Sequence, residues 1–196
     1  IRSRADTLNL PNTLIADNSA RNGGGVYIGR GSANLDTTSF NQATGNGGGV
    51  YIADGITDTV ALGFVSFNQA NGNGAGLWLG GTGTLALSEV DFDSNDADGY
   101  GGGVFSSSSG TMLIEDSAFS DNYAGSNGGG IRWNTSSSSN SLTISGSSFD
   151  DNTAGTYGGA IATNTGGTFT LTGTTFTDNT AQYGGAVSLY GVDTVY

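Results

Sequence analysis

The chain has 196 residues, of which 36 are glycine, and its five arginines, without any lysine or histidine, oppose 17 acidic residues for a net charge of −12. This charge excludes nucleic-acid binding, which needs a basic face, and it argues against binding to anionic membranes. The absence of cysteine excludes a disulfide framework, and a 35% hydrophobic content with regular spacing argues against disorder.

The first predicted element is a short strand that recurs along the chain and carries two apolar residues separated by one other residue. Residues two apart lie on the same face of a strand, so both side chains are expected to point into the core. The seven pairs are Leu8/Leu10, Ala33/Leu35, Val60/Leu62, Leu85/Leu87, Met112/Ile114, Leu142/Ile144 and Phe169/Leu171.

The next element is a strand with one large apolar residue, which is also predicted to point inward. These residues are Ile15, Phe40, Phe67, Phe92, Phe119, Phe149 and Phe176. They recur at intervals of 25 to 30 residues, which is typical of one turn of a β-solenoid.

Two further columns follow the large apolar residues. Asparagines three residues later are predicted to stack in a hydrogen-bonded ladder: Asn18, Asn95, Asn122, Asn152 and Asn179. Small residues come next: Ala20, Ala43, Ala70, Ala97, Ala124, Ala154 and Ala181. In the second and third repeats, Phe40 and Phe67 lie only three residues before the alanine. This spacing predicts two shorter coils with no residue in the asparagine ladder.

The last element is a strand that begins after a cluster of small residues. The seven clusters and the apolar residues that follow them are Gly23-Gly24-Gly25-Val26, Gly47-Gly48-Gly49-Val50, Gly74-Ala75-Gly76-Leu77, Gly101-Gly102-Gly103-Val104, Gly128-Gly129-Gly130-Ile131, Gly158-Gly159-Ala160-Ile161 and Gly184-Gly185-Ala186-Val187. The pattern predicts an all-β, right-handed parallel β-helix (β-solenoid) of about seven coils, with three short strands per coil. An antiparallel sandwich would not repeat this three-part pattern seven times.

One outward-facing column of the last strand is aromatic for four coils and then ends in an arginine: Tyr27, Tyr51, Trp78, Phe105 and Arg132. We call these five residues the contact strip. Neighbouring rings are expected to stack about 4.8 Å apart, and Arg132 to cap them by a cation–π contact. One interpretation is a ladder that only stabilises the coils. The other is a contact surface, for a protein in preference to a sugar, because stacked rings hide their faces.

The sequence predicts no catalytic residues and therefore no enzyme. The pairs Asp91/Asp93 and Asp150/Asp151 are adjacent acids of a kind that is usually solvated, and no lysine or histidine accompanies them. No metal or cofactor is predicted. The alternative is calcium, with Asp93, Asn95, Asp96 and Asp98 as ligands, but their spacing departs by one residue from a calcium loop.

The combination of Phe149-x-x-Asn152 with Gly158-Gly159-Ala160-Ile161 resembles the repeats of the polymorphic outer membrane proteins of chlamydiae. Phe176-x-x-Asn179 and its following glycine cluster resemble them too. The resemblance implies a bacterial surface protein that is secreted and that serves in adhesion or self-association. The expected location is therefore extracellular or on the cell surface.

Both ends of the chain fall within a coil, because Ile1 aligns with Val26 and Val195 aligns with the first strand of a further coil. We therefore expect a single β-helix domain, residues 1–196, uncapped at both ends. The expected function is structural or adhesive, with copies associating end to end. Glycans or other surface proteins are alternative partners, and no nucleic acid or membrane insertion is expected. The alternative function is a polysaccharide-binding or polysaccharide-cleaving β-helix that resembles pectate lyases.

Overall fold

The structure, a computed structural model, describes residues 1–53, 60–135, 137–164 and 166–196, and within these ranges it contains strands and turns but no helix. The strands are β1 Arg2–Ser3, β2 Thr7–Ala16, β3 Ser19–Ala20, β4 Val26–Ile28, β5 Ser32–Ser39, β6 Gln42–Ala43, β7 Val50–Ile52, β8 Val60–Ser66, β9 Gln69–Ala70, β10 Leu77–Leu79, β11 Thr82–Ser88, β12 Asp91–Asp93, β13 Asp96–Ala97, β14 Val104–Ser106, β15 Ser109–Glu115, β16 Ala118–Ser120, β17 Tyr123–Ala124, β18 Ile131–Asn134, β19 Ser141–Ser145, β20 Ser148–Asp150, β21 Thr153–Ala154, β22 Ile161–Asn164, β23 Thr168–Thr172, β24 Thr175–Thr177, β25 Val187–Ser188 and β26 Thr194–Val195.

These strands form parallel sheets in which each strand pairs with its equivalents in the coils before and after it. The strands that follow the glycine clusters form one sheet, in the order β1-β4-β7-β10-β14-β18-β22-β25. The other three sheets have the orders β11-β15-β19-β23-β26, β2-β5-β8-β12-β16-β20-β24 and β21-β17-β13-β9-β6-β3. Because paired strands are separated in sequence by a whole coil, the chain is a stack of coils. The predicted parallel β-helix is confirmed.

The first six coils contain a strand that the sequence did not predict. The additional strand has two residues and carries the alanine column, from β3 in the first coil to β21 in the sixth. In the first three coils, the two predicted strands that precede it are merged into the long strands β2, β5 and β8. In the later coils they are separate, as in β11 and β12. We number the coils one to seven by their asparagines, which are Asn18, Asn41, Asn68, Asn95, Asn122, Asn152 and Asn179.

The glycine clusters allow the chain to turn where neighbouring coils are in close contact. Gly23 has a φ of +64°, a left-handed conformation that glycine adopts without steric cost. A Cβ atom on Gly24 would lie 2.5 Å from the carbonyl oxygens of both Gln42 and Gly48 in the next coil. A side chain at Gly24 would therefore force the two coils apart.

The interior of the stack is one continuous apolar core. Val26, Val50, Leu77, Val104, Ile131 and Ile161 are fully buried in a single column, and they pair in register from coil to coil. The apolar pairs of the first strand align within coils one to three and within coils four to seven, and Phe169 pairs with Val195 as the sequence indicated. Trp133 is the largest side chain in the core. Among the described residues, no helix has the length and apolarity required to cross a membrane.

The prediction that Phe40 and Phe67 point into the core is wrong. Thr38 and Val65 occupy the inward position in coils two and three, where they pair with each other and with Ile15 and Phe92. Phe40 and Phe67 lie two residues further along, at a corner where φ is +54° and +53°, and they are 57% and 46% exposed. This corner is occupied by Asp17 in coil one, whose φ is +57°.

Candidate functional site

The asparagine ladder runs through all seven coils without a gap. The Nδ2 group of each asparagine donates to Oδ1 of the asparagine in the next coil, over N–O distances of 2.9 to 3.1 Å. That Oδ1 also accepts the backbone N–H of the preceding asparagine, as Asn122 does from Asn95. The second hydrogen of each Nδ2 group is donated to a backbone carbonyl oxygen, as from Asn95 to Val65. Each interior asparagine is thus buried with its amide group satisfied.

The prediction that coils two and three lack a ladder residue is therefore wrong, because Asn41 and Asn68 occupy those positions. Both wrong predictions have one cause. The ladder was expected three residues after the inward residue, and Phe40 and Phe67 lie at an exposed corner and not in the core. The distance from asparagine to alanine gives the correct register. It is two residues in every coil, from Asn18–Ala20 to Asn179–Ala181. Coils two and three therefore have the same number of residues between the asparagine and the alanine as the other coils.

The contact strip is an in-register column on the outside of the glycine-led sheet. Tyr27 pairs with Tyr51, Tyr51 with Trp78, Trp78 with Phe105, and Phe105 with Arg132. The successive rings stack, with centroids 5.1, 4.2 and 6.3 Å apart. Their faces are therefore covered by one another, and mainly the ring edges meet solvent. This geometry suits a stabilising ladder or an edge-on protein contact better than stacking on a sugar.

The cations at the two ends of the strip differ from the predicted arrangement. Arg132 does not cap Phe105: its guanidinium lies 5.7 Å from the ring centroid of Tyr100, a residue of the neighbouring corner. Tyr100 in turn lies 6.3 Å from Phe105. At the other end, the guanidinium of Arg2 lies 5.4 Å from the ring centroid of Tyr27, so Arg2 provides the cation–π cap.

A second apolar surface was not predicted. We call Leu14, Phe40, Phe64 and Phe67 the phenylalanine cluster. Phe40 and Phe67 stack at 4.9 Å with an interplanar angle of 4°. Leu14 and Phe64 lie three residues before this corner in coils one and three, in a column that they share with Thr37, and they are 66% and 55% exposed. Exposed large apolar groups concentrated in neighbouring coils are typical of an interaction surface.

The four calcium candidates do not converge on one point. Asn95 is fully buried in the ladder, whereas Asp93 faces outward and accepts hydrogen bonds from Ser94 and Ser120. Asp96 and Asp98 are exposed on the following strand and turn. Across the described ranges, no three of the His, Cys, Asp and Glu side chains are grouped closely enough to hold a metal ion.

The carboxylate pairs lie on the outer surface. Asp91 and Asp93 project from the same face of β12, and burial raises the pKa of Asp91, with a further increase from the nearby Asp93. Asp150 ends β20, and Asp151 turns away from it with a φ of +51°. Burial also raises the pKa of Asp121, and the negative charges of Asp151, Asp93 and Asp150 raise it further. These carboxylates repel one another along the outside of coils four to six.

The fold and these surfaces define a parallel β-helix repeat protein whose ordered columns lie both inside and outside the coils. Residues 146–164 match the Chlamydia polymorphic membrane protein repeat. This segment contains Phe149, Asn152 and the cluster Gly158–Ile161, the residues that carry the resemblance in the sequence. The resemblance is thus confirmed for one coil, and together with the fold it fits a surface-protein β-helix. Searches of curated proteins and of solved structures found no match.

Sequence reasoning also missed a second corner column, formed by the residue before each glycine cluster. Its members are Asn22, Asn46, Asn73, Tyr100, Asn127, Tyr157 and Tyr183. In the first coils the asparagine side chain accepts a backbone N–H from the next coil, as Asn22 does from Asn46. In the last coils the column is aromatic, and Tyr157 stacks on Tyr183 at 5.2 Å. The column could have been predicted from the sequence, because each of its members directly precedes the first glycine of a cluster.

Proposed function

We propose that this chain is an extracellular β-helix with a structural or adhesive role on a cell surface, and that it associates with further copies of itself. The observation that carries the proposal is the phenylalanine cluster. Four large apolar side chains lie in solvent on coils one to three, and each is 46% to 66% exposed. Water contact with such groups is unfavourable, and a partner surface that covers them would remove that cost.

The distribution of charge supports a second copy as that partner. Residues 1–30 contain four arginines and two aspartates, for a net charge of +2. Residues 89–121 contain eight acidic residues and no arginine, for a net charge of −8. The early coils of one copy are therefore electrostatically complementary to the middle coils of another. A repulsive contact between two acidic surfaces is avoided when the copies are offset along the stack.

The same distribution supports an end-to-end order. Residues 150–193 contain four aspartates and no arginine, which gives them a charge opposite to that of residues 1–30. A head-to-tail contact of this kind is heterologous, so it extends into a filament and does not close into a dimer. The phenylalanine cluster then supplies the lateral contact between neighbouring filaments.

Sedimentation velocity over a wide range of protein concentration tests the proposal. The decisive variant combines Phe40→Asp and Phe67→Asp with Leu14→Thr and Phe64→Thr. Each new residue already occurs in the same column of another coil, as Asp17 and Thr37 show. The variant is therefore expected to fold normally. We expect the wild type to form species that grow with concentration and the variant to lose the lateral species.

The matched control is Tyr51→Ser with Trp78→Ser in the contact strip. It should associate like the wild type, because the rings of the strip are already stacked on one another. Loss of association in this control, with the cluster variant unaffected, would move the lateral contact to the strip and contradict the assignment to the cluster. A wild-type protein that stays monomeric at every concentration and in low salt would contradict self-association as a whole.

A further inference from the structure

A concave surface lies beside the end of the contact strip, in coils four to seven. The outward column of the glycine-led sheet changes there from rings to Arg132, Ala162 and Ser188, which pair in register. A cavity of about 440 Å³ lies beside this column. Tyr100, Tyr157 and Tyr190 line it, together with Arg132, Thr163 and Ser188.

Among the described residues that line this cavity, Arg132 is the only charged one. Only 8% of the residue is exposed, and its guanidinium forms no salt bridge with any residue in the described part of the chain. The guanidinium lies over the face of the Tyr100 ring, which attracts a cation but does not provide a negatively charged group. Burial lowers the pKa of Arg132, and Tyr100 offsets this in part. A cation that is mostly removed from water and lacks an anionic partner is stabilised when an anion enters the cavity.

The tyrosines of the cavity differ from the stacked rings of the contact strip. Asn127 pairs with Tyr157 and separates it from Tyr100 in the corner column. The two rings are therefore two coils apart, about 9–10 Å by strand spacing. Tyr157 is covered on one side by Tyr183. Tyr157 is nevertheless 44% exposed, and part of its ring is therefore accessible to a ligand. An open aromatic face near hydroxyl groups is suited to the apolar face of a sugar ring.

We propose that this cavity binds a saccharide that carries a carboxylate group, with Arg132 holding the carboxylate and Tyr157 contacting the sugar ring. The planar guanidinium can donate two parallel hydrogen bonds to a carboxylate. The hydroxyl of Ser188 is placed to exchange hydrogen bonds with sugar hydroxyls in the same cavity. In the part of the chain that the structure describes, no acidic residue lines the cavity, in contrast to the strongly acidic chain as a whole. This inference is independent of the lateral contact, because the phenylalanine cluster lies in coils one to three.

Calorimetric titration with two matched oligosaccharides tests the proposal. One is an oligomer of a uronic acid, and the other is the neutral oligomer in which each carboxylate is replaced by a hydroxymethyl group. We expect the acidic oligomer to bind and the neutral one to bind at least about tenfold more weakly, because the charge-assisted hydrogen bonds are lost. Equal binding of both oligomers, or binding of neither, would overturn the assignment.

Variants identify the residues that carry the binding. Arg132→Gln should weaken binding of the acidic oligomer by about tenfold or more, and Tyr157→Ala should weaken binding of both oligomers. Arg30→Gln is the matched control, because Arg30 is exposed and lies 3.9 Å from Asp6, far along the stack. Arg132→Lys keeps the charge without the planar fork, so it should bind with intermediate affinity. An unchanged affinity in Arg132→Gln, in a variant with the wild-type circular dichroism spectrum, contradicts the proposal.

An acidic peptide provides the last comparison. A short polyglutamate has carboxylates but no sugar ring, so it should bind much more weakly than the uronic acid oligomer. Equal or tighter binding of polyglutamate would show that the cavity recognises acidic peptides and would overturn the saccharide assignment. Sedimentation of the Arg132→Gln variant should match the wild type, which separates this result from the test of self-association.

Discussion

Coils one to three and coils four to seven follow the same template but place their aromatic side chains differently. In the first region the inward column contains Ile15, Thr38 and Val65, and the rings of Tyr27, Tyr51, Phe40 and Phe67 lie outside. In the second region the inward column is a stack of four phenylalanines: Phe92, Phe119, Phe149 and Phe176. Their centroids lie 4.7 to 5.1 Å apart.

This difference shows that the backbone of a coil does not depend on which column contains the aromatic residue. The register is maintained by features common to both regions, which are the asparagine ladder, the alanine column and the glycine clusters. Aromatic residues are then free to stabilise the core in one region and to form an outer surface in the other. Function is expected where rings lie outside, as in the phenylalanine cluster.

The asparagine ladder should be equally important in both regions. Asn41→Asp in coil two and Asn122→Asp in coil five each place an unpaired carboxylate in a fully buried position. We expect each to lower the free energy of unfolding by about 3–5 kcal/mol. Urea unfolding followed by circular dichroism measures the change. Asn18→Asp is the control, because Asn18 is exposed and should lose much less stability. A large loss in one coil only would show that the two regions do not share the ladder as their main support.

The two aromatic stacks should differ in their contribution to stability. Phe119 is 1% exposed and stacks on a phenylalanine on each side, so Phe119→Ala should cost about 3–5 kcal/mol. Tyr51 is also between two rings but lies on the outer surface, so Tyr51→Ser should cost only about 0.5–1.5 kcal/mol. Urea midpoints of the two variants provide the comparison. Similar losses in both would indicate that the outer strip is as important to the fold as the core.

Thr38 in the first region is suboptimal for its position. Its hydroxyl oxygen is buried in the apolar core and has no hydrogen-bond partner among the described residues, whereas Val65 occupies the same column in the next coil. Thr38→Val should therefore stabilise the chain by about 1–2 kcal/mol. In the second region, Thr163 is also buried, but its hydroxyl accepts the backbone N–H of Tyr190. Thr163→Val should destabilise, and thermal unfolding of both variants checks the opposite signs.

The acidic surface of the second region predicts a small dependence on pH. The pKa values of Asp91, Asp96 and Asp121 are raised above the ordinary 3.8, in each case mainly by burial. A raised pKa in the folded state means that the folded chain binds more protons than the unfolded chain just above this value. The free energy of unfolding should therefore rise as the pH falls from 7 towards about 4. The combined variant with asparagine at the three positions should lose most of this dependence in urea titrations. An equal dependence in both proteins would assign it to the overall negative charge.

The parallel stack could be predicted because columns of apolar, small and asparagine residues recur with nearly constant spacing. The register of coils two and three could not be predicted from residue type, since a phenylalanine was expected to be buried. Phe40 lies instead at a corner where the other coils use aspartate or serine. The cavity at Arg132 was missed because it depends on residues from four coils that come together only in the stack. The stacking of the contact strip followed from its column of aromatic residues, but the cation–π partners at its two ends depend on side-chain geometry.

The chain contains one tryptophan on each side of this comparison, and their accessibility tests it most directly. Trp78 lies in the outer strip of coil three, whereas Trp133 is 1% exposed in the core of coil five. Acrylamide quenching of fluorescence can be measured in the single-tryptophan variants Trp133→Phe and Trp78→Phe. We expect clear quenching of Trp78 and strong protection of Trp133. Equal quenching of the two residues, or stronger quenching of Trp133, would contradict the assignment of Trp78 to the outer strip and of Trp133 to the core.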